Sequence, residues 1–257
     1  MKIAISGKGG VGKTTFSATL AHLFKESGKK VLAIDADPDA NLAAALGYPD
    51  LAGVTPISEM SELIAERTGS KPGTYGSMFT INPKVDDLPD TLAKEIDGIR
   101  FMTLGGVKKG GGGCICPEST MLKNIIMHLV LARDEVVLMD MEAGLEHLGR
   151  ATSSGVDHLI VVVEPGQRSI ETAQTVRKLA KDLNLKRVSV VGNKVRNKDD
   201  EDFITQTLSD MEILGFIPFA DSIINADRHS TSVYKNSPEA VEAVGKIFAK
   251  VITPGSA

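Results

Sequence analysis

The stretch that most constrains this chain is Gly7-Lys8-Gly9-Gly10-Val11-Gly12-Lys13-Thr14, a match to G-x-x-x-x-G-K-[ST]. Its context makes the match specific. An apolar run over residues 2–6 precedes it. Residues 14–27 follow, with Phe16, Leu20, Leu23 and Phe24 at helical spacing up to Gly28, a helix stop. Strand, glycine loop and helix in that order make an anion site. The glycines let the backbone curl, and the helix N-terminus adds partial positive charge. Backbone N–H groups drawn from Gly9, Gly10, Val11, Gly12, Lys13, Thr14 and Thr15 are expected to face the phosphates of ATP. Lys13 is expected at the β- and γ-phosphates and Thr14 on Mg²⁺.

The rest of the chain repeats the alternation. Apolar runs at 31–34, 100–104, 135–140, 158–163, 188–191 and 213–217 are separated by helical patterns, among them 41–46, 119–132, 169–183 and 238–251. Buried runs of four to six residues between helices predict an α/β fold. It is doubly wound, a mostly parallel sheet of about seven strands with helices on both faces. The 257 residues suit one domain, 1–257, with an irregular Gly-, Pro-, Ser- and Thr-rich insertion at about 49–98, expected on the surface near the site.

Three acidic residues end apolar runs. Asp35 and Asp37 close the second strand, where parallel sheets place ligands, although either carboxylate also suits a helix N-cap role. Val136-Val137-Leu138-Met139-Asp140 is an apolar strand ending in Asp, which predicts that Asp140 orients Mg²⁺ through its water shell. Met141-Glu142-Ala143-Gly144 follows as a candidate switch.

Cys114 and Cys116, the two cysteines of the chain, sit after Gly110–Gly113. Two thiolates two residues apart share one metal ion but cannot close a four-coordinate site. A two-fold dimer supplies the other pair, and soft thiolates select Ni²⁺ or Zn²⁺ over Mg²⁺. A pair of small half-buried hydrophobes and a strained local disulfide remain alternatives.

Lys8, a second lysine inside the phosphate loop, marks the deviant Walker A class. Lys8-Gly9-Gly10-Val11-Gly12-Lys13-Thr14-Thr15 resembles MinD, ParA and the nitrogenase iron protein. The resemblance implies a homodimer in which Lys8 crosses to the partner's nucleotide. It further implies that Asp37 positions or activates the attacking water and that Asp35 supports the metal. In Val191-Gly192-Asn193-Lys194, it implies that Asn193 hydrogen-bonds adenine beside Lys194, with Phe216, Ile217 and Pro218 flanking the base. The Cys-x-Cys loop, together with Asp140–Arg150, resembles the CooC-type accessory ATPases. That narrower likeness implies a client nickel enzyme, carbon monoxide dehydrogenase or acetyl-CoA synthase. Glu146 and His147 in that segment read as switch residues or as one exposed helix turn.

Other roles fit less well. An iron–sulfur reductase needs well-separated cysteines. A MinD-like membrane regulator needs a basic amphipathic C-terminus, whereas Val241, Val244, Ile247, Phe248 and Val251 form a core-facing stripe. A net charge of −4 argues against bulk nucleic-acid binding, and no apolar run approaches the ~20 residues of a membrane span. A metal sensor or carrier gated by ATP is the competing class. The chain reads as cytoplasmic.

Overall fold

The computed structural model describes residues 1–72, 78–105, 117–132, 135–143 and 155–253. Its strands are β1 (Lys2–Ser6), β2 (Val31–Ala36), β3 (Lys94–Ile96), β4 (Ile99–Thr103), β5 (Val136–Met141), β6 (His158–Val163), β7 (Val188–Val195) and β8 (Glu212–Pro218). They form one eight-stranded sheet in the order β3-β4-β2-β5-β1-β6-β7-β8. Every neighbouring pair is parallel except β3 with β4. The expected fold class holds, with one more strand than the alternation implies.

The helices used below are α1 (Lys13–Glu26), α2 (Leu42–Leu46), α3 (Ser61–Thr68), α4 (Leu88–Leu92), α5 (Pro117–Ala132), α6 (Gln167–Asp182), α7 (Lys198–Thr207), α8 (Asp221–Arg228), α9 (Val233–Asn236) and α10 (Pro238–Ile252). They cover both faces, so the central strands are buried on both sides and read as continuous apolar runs. Side chains alternate between two cores. Ala4, Leu32, Ile34, Val137, Met139, Leu159 and Val161 pack under α5, α6 and α7 through Ile125, Ile170 and Ile204. Ile3, Ile5, Ala33, Leu138, Ile160 and Val162 face α1 and α10 through Phe16, Leu20, Val244 and Ile247. The expected C-terminal stripe is thus core-facing at Val244, Ile247 and Val251. Truncating Phe16, fully buried in α1, to Ala would cost about 3–5 kcal/mol.

Within the segment at 49–98, the described residues hold more regular structure than the composition implies. Ile57, Ile64, Val85 and Leu88 are buried in the α5-side core, and the segment supplies β3. Asp97 and Gly98, both with positive φ (49° and 77°), form the two-residue turn that folds β3 back on β4.

Topology fixes where a ligand sits. The chain leaves β1, passes over β5 to β2, returns to β5, and then crosses to β6 on the other side of β1. The crevice at the carboxyl end of β1 is therefore the switch point of an open parallel sheet.

Candidate functional site

The loop from Gly7 to Gly12 crosses that crevice and enters α1. Gly10 (φ 80°) and Gly12 (φ 91°) lie in the left-handed region. Gly12 N-caps α1, and a Cβ there would strike the Asn193 side-chain amide. Glycine is required at this position by conformation and by space.

Lys13 opens α1 with its side chain buried, 3.6 Å from the Asp37 carboxylate. Lys8 is half-buried and has no ion-pair partner among the described residues. Strand register sets the acids. Ile5, Asp140, Asp35 and Thr103 lie side by side in one row across β1, β5, β2 and β4. Asp35 and Asp140 thus stand on neighbouring strands at one height. Asp35 accepts hydrogen bonds from the N–H groups of Leu42 (2.8 Å) and Asp37 (3.2 Å), tying β2 to the start of α2. Burial nonetheless raises its pKa to about 6. The helix-capping alternative therefore applies to Asp35, while Asp37 turns toward Lys13.

Asp140 is different. It is 1 % exposed, and neither carboxylate oxygen has a hydrogen-bond partner of good geometry among the described residues. Burial pushes its pKa up to about 7. The nearby Thr14 hydroxyl works against that shift, and the Asp35 charge adds to it. A buried carboxylate with both oxygens open is costly unless a cation completes it. Magnesium takes oxygen ligands and keeps several waters. The Thr14 hydroxyl and the Asp140 carboxylate are oxygen donors of the kind such an ion takes. Among the described residues no group of three His, Cys, Asp or Glu side chains is placed to hold a metal alone.

On the other flank, Asn193 near the end of β7 donates from Nδ2 to the Val11 carbonyl (2.7 Å) and accepts the Lys194 N–H at Oδ1 (2.8 Å). The residue expected at adenine is therefore also a tie to the phosphate loop. Lys194 (φ 58°) sends its ammonium to the Gly10 carbonyl (2.6 Å) and to Glu164 (3.1 Å). Pro218 ends β8 beside Val195, and the Arg196 guanidinium lies 5.3 Å from the centroid of the exposed Phe219 ring. The structure thus places Lys8 through Thr15, Asp35, Asp37 and Asp140 around one crevice and ties Asn193 and Lys194 to its loop, while Pro218 stands at the end of β8 beside Val195. Cys114 and Cys116 lie outside the described residues, as do Gly144, Glu146 and His147.

Sequence reasoning passed over Glu164 and Ser6. Glu164 follows the apolar run of β6 just as Asp140 ends that of β5, so the same strand-then-acid pattern marks it. Ser6 donates to the Glu142 carbonyl (2.8 Å), joining the loop's entrance to the segment after Asp140. Nothing in the sequence signals that contact.

Residues 2–233 match the family described as the CobQ/CobB/MinD/ParA nucleotide binding domain. An uncharacterised ATP-binding protein of Methanocaldococcus jannaschii is 46% identical over 255 residues, covering 98% of each chain. The carbon monoxide dehydrogenase accessory protein CooC of Rhodospirillum rubrum is 42% identical over 254 residues, covering 98% of this chain and 96% of that one. Among solved structures, the septum site-determining protein MinD of Pyrococcus horikoshii, complexed with Mg-ADP, superposes with a TM-score of 0.68 at 22% identity, covering 98% of this chain and 97% of that one. MinD of Aquifex aeolicus gives 0.69 at 19% identity, covering 98% and 96%.

Proposed function

The chain belongs to the CobQ/CobB/MinD/ParA nucleotide-binding family, in the branch that holds CooC, and from that premise we propose that it is a dimeric ATPase serving nickel insertion into carbon monoxide dehydrogenase or acetyl-CoA synthase. The observation that carries the ATPase reading is the buried Asp140 carboxylate beside Thr14, without a hydrogen-bond partner of good geometry among the described residues, at the mouth of a complete phosphate loop. The client reading rests on the likeness to CooC.

Each residue's role follows from its place. Lys13 neutralises phosphate charge; Thr14 would hold the Mg²⁺ and Asp140 would orient it through its water shell, and the ion would supply Lewis-acid stabilisation to the transferring phosphoryl group. Asp37 orients the attacking water and takes its proton; its contact with Lys13 keeps it over the loop. Lys8 reaches the partner's nucleotide and adds positive charge where phosphoryl transfer builds negative charge. Asn193 and Pro218 hold the adenine.

Cys114 and Cys116 of two chains bind one Ni²⁺ or Zn²⁺ per dimer, because a closed thiolate site needs four ligands and each chain offers two. Metal titration with the mass measured alongside checks this. One ion per two chains is expected, and retained binding in a C114S/C116S variant would refute it.

The test of function is maturation of a nickel-free carbon monoxide dehydrogenase by this chain with Ni²⁺ and Mg·ATP. Client activity should rise with the wild type and stay at background with Lys13→Ala. Equal activation by the two, or none by the wild type, removes the accessory role.

A further inference from the structure

The phosphate loop is held from outside at two successive carbonyls. Gly10 accepts from the Lys194 ammonium at 2.6 Å, and Val11 accepts from Asn193 Nδ2 at 2.7 Å. Both donors stand at the carboxyl end of β7, more than 180 residues along the chain. The Asn193 amide has one consistent orientation, since Oδ1 takes the Lys194 N–H and Nδ2 must face a carbonyl. Lys194 occupies a left-handed backbone conformation uncommon for a residue with a side chain, and it is braced by Glu164 from the end of β6.

A peptide unit is planar, with its C=O and N–H pointing opposite ways. Fixing the Gly10 carbonyl therefore aims the Val11 N–H, and fixing the Val11 carbonyl aims the Gly12 N–H. These lie within the run of amides that cradles phosphate in such a loop. Among the described residues the Val11 N–H makes a single long contact, 3.4 Å to the Lys8 carbonyl, which an anion can displace. The loop needs outside help because Gly9, Gly10 and Gly12 give it little conformational preference of its own.

We propose that Lys194, braced by Glu164, is a positioning residue that works with Asn193 to clamp the Gly10 and Val11 carbonyls and so holds the Val11 and Gly12 N–H groups ready for the polyphosphate of a nucleotide. Lys194 acts through the loop and touches neither base nor phosphate. The inference rests on the nucleotide-binding reading of the site.

The experiment is displacement of a fluorescent ATP analogue by Mg·ATP and by magnesium tripolyphosphate, which has no base. The proteins are the full-length wild type, K194M, K194R, E164Q and K194M/E164Q. K194M should weaken both ligands by the same factor, about tenfold, the range for losing one charge-assisted hydrogen bond. K194R, which keeps the positive charge and its N–H donors, should restore most of the affinity. The double variant should bind no more weakly than K194M, because Glu164 acts only through the ammonium.

Amide hydrogen exchange at Val11 and Gly12 in the nucleotide-free protein should quicken in K194M. Weakened ATP with unchanged tripolyphosphate would assign Lys194 to the base and overturn the clamp. Unchanged exchange would assign Lys194 to the phosphate itself and overturn it equally. A wild type that binds neither ligand would sink the nucleotide reading along with the clamp. A wild type that binds both while K194M matches it sinks the clamp alone.

Discussion

The two ends of this sheet treat their buried charges in opposite ways. At the amino end, His158 of β6, Ser189 of β7, Glu212 of β8 and Arg187 form one network. Ser189 bridges His158 Nε2 (2.8 Å) and Glu212 (2.5 Å), and Arg187 grips both Glu212 oxygens at 2.9 and 3.0 Å while reaching the last turn of α10. The Arg187 guanidinium holds the Glu212 carboxyl down at about 2. At the carboxyl end, Asp140 is buried, and neither of its oxygens has a hydrogen-bond partner of good geometry among the described residues. The sheet is the same, but the Arg187–Glu212 pair is partly open to solvent, with side chains 22% and 42% exposed, while Asp140 is not. The amino-end network leaves one buried atom, His158 Nδ1, without a partner among the described residues, and its ion pair is closed on itself, whereas a buried carboxylate with both oxygens open is costly and is kept where something binds it.

Substitutions at the two ends should differ in what they damage. The largest effect is expected at Lys13. Lys13→Ala should lower ATP turnover by roughly 10²–10³-fold or more, the range for losing one preorganised electrostatic contact to a transition state. Steady-state phosphate release measures it, and near-normal turnover would break the assignment of this end. Gly12→Ala comes next. A side chain at φ 91° that also strikes Asn193 should cost about 1–3 kcal/mol of folding stability and at least about tenfold in ATP affinity. Chemical denaturation and nucleotide titration read the two losses separately.

The amino end should respond in stability alone. Burial lowers the His158 pKa from 6.5 to about 4. Between those values the folded chain binds fewer protons than the unfolded chain. This residue's contribution is therefore complete above about pH 6.5 and lost as pH falls toward 4, at up to about 1.4 kcal/mol per pH unit. Denaturation midpoints across that window should flatten in His158→Asn. An unchanged slope would move the acid sensitivity elsewhere. Glu212→Gln gives the smallest effect. Its side chain is 42% exposed, so the ion pair contributes about 0.2–1 kcal/mol, weakens with salt, and leaves turnover unchanged.

Most of the fold was legible because a parallel sheet covered on both faces writes itself as unbroken apolar runs. β3 escaped notice because Lys94-Glu95-Ile96 is a short polar edge strand, although Asp97-Gly98 carried a hairpin signal. α3, α7 and α8 are amphipathic and largely polar, so they lacked the dense apolar spacing that marked α1. The phosphate loop and the acids at strand ends were legible as motifs, since their chemistry is local. Contacts across long sequence distances were not. Asn193 to Val11, Lys194 to Gly10, and the register setting Asp35 beside Asp140 exist only once the strand order is known.

We infer that the carboxyl end leaves Asp140 without partners among the described residues for the sake of Mg·ATP. Thermal unfolding of the wild type and Asp140→Asn, each alone, with ATP, and with Mg·ATP, tests it most directly. Asn removes the buried charge, so the nucleotide-free variant should melt about 2–4 °C higher, the shift expected for about 1 kcal/mol at this chain length. Mg·ATP at a hundredfold excess over its Kd should stabilise the wild type by about 2.7 kcal/mol. The variant should lose the magnesium-dependent part of that gain. A variant that melts lower than the wild type and keeps the full Mg·ATP shift would contradict the account, because Asp140 would then belong with the structural network at the other end.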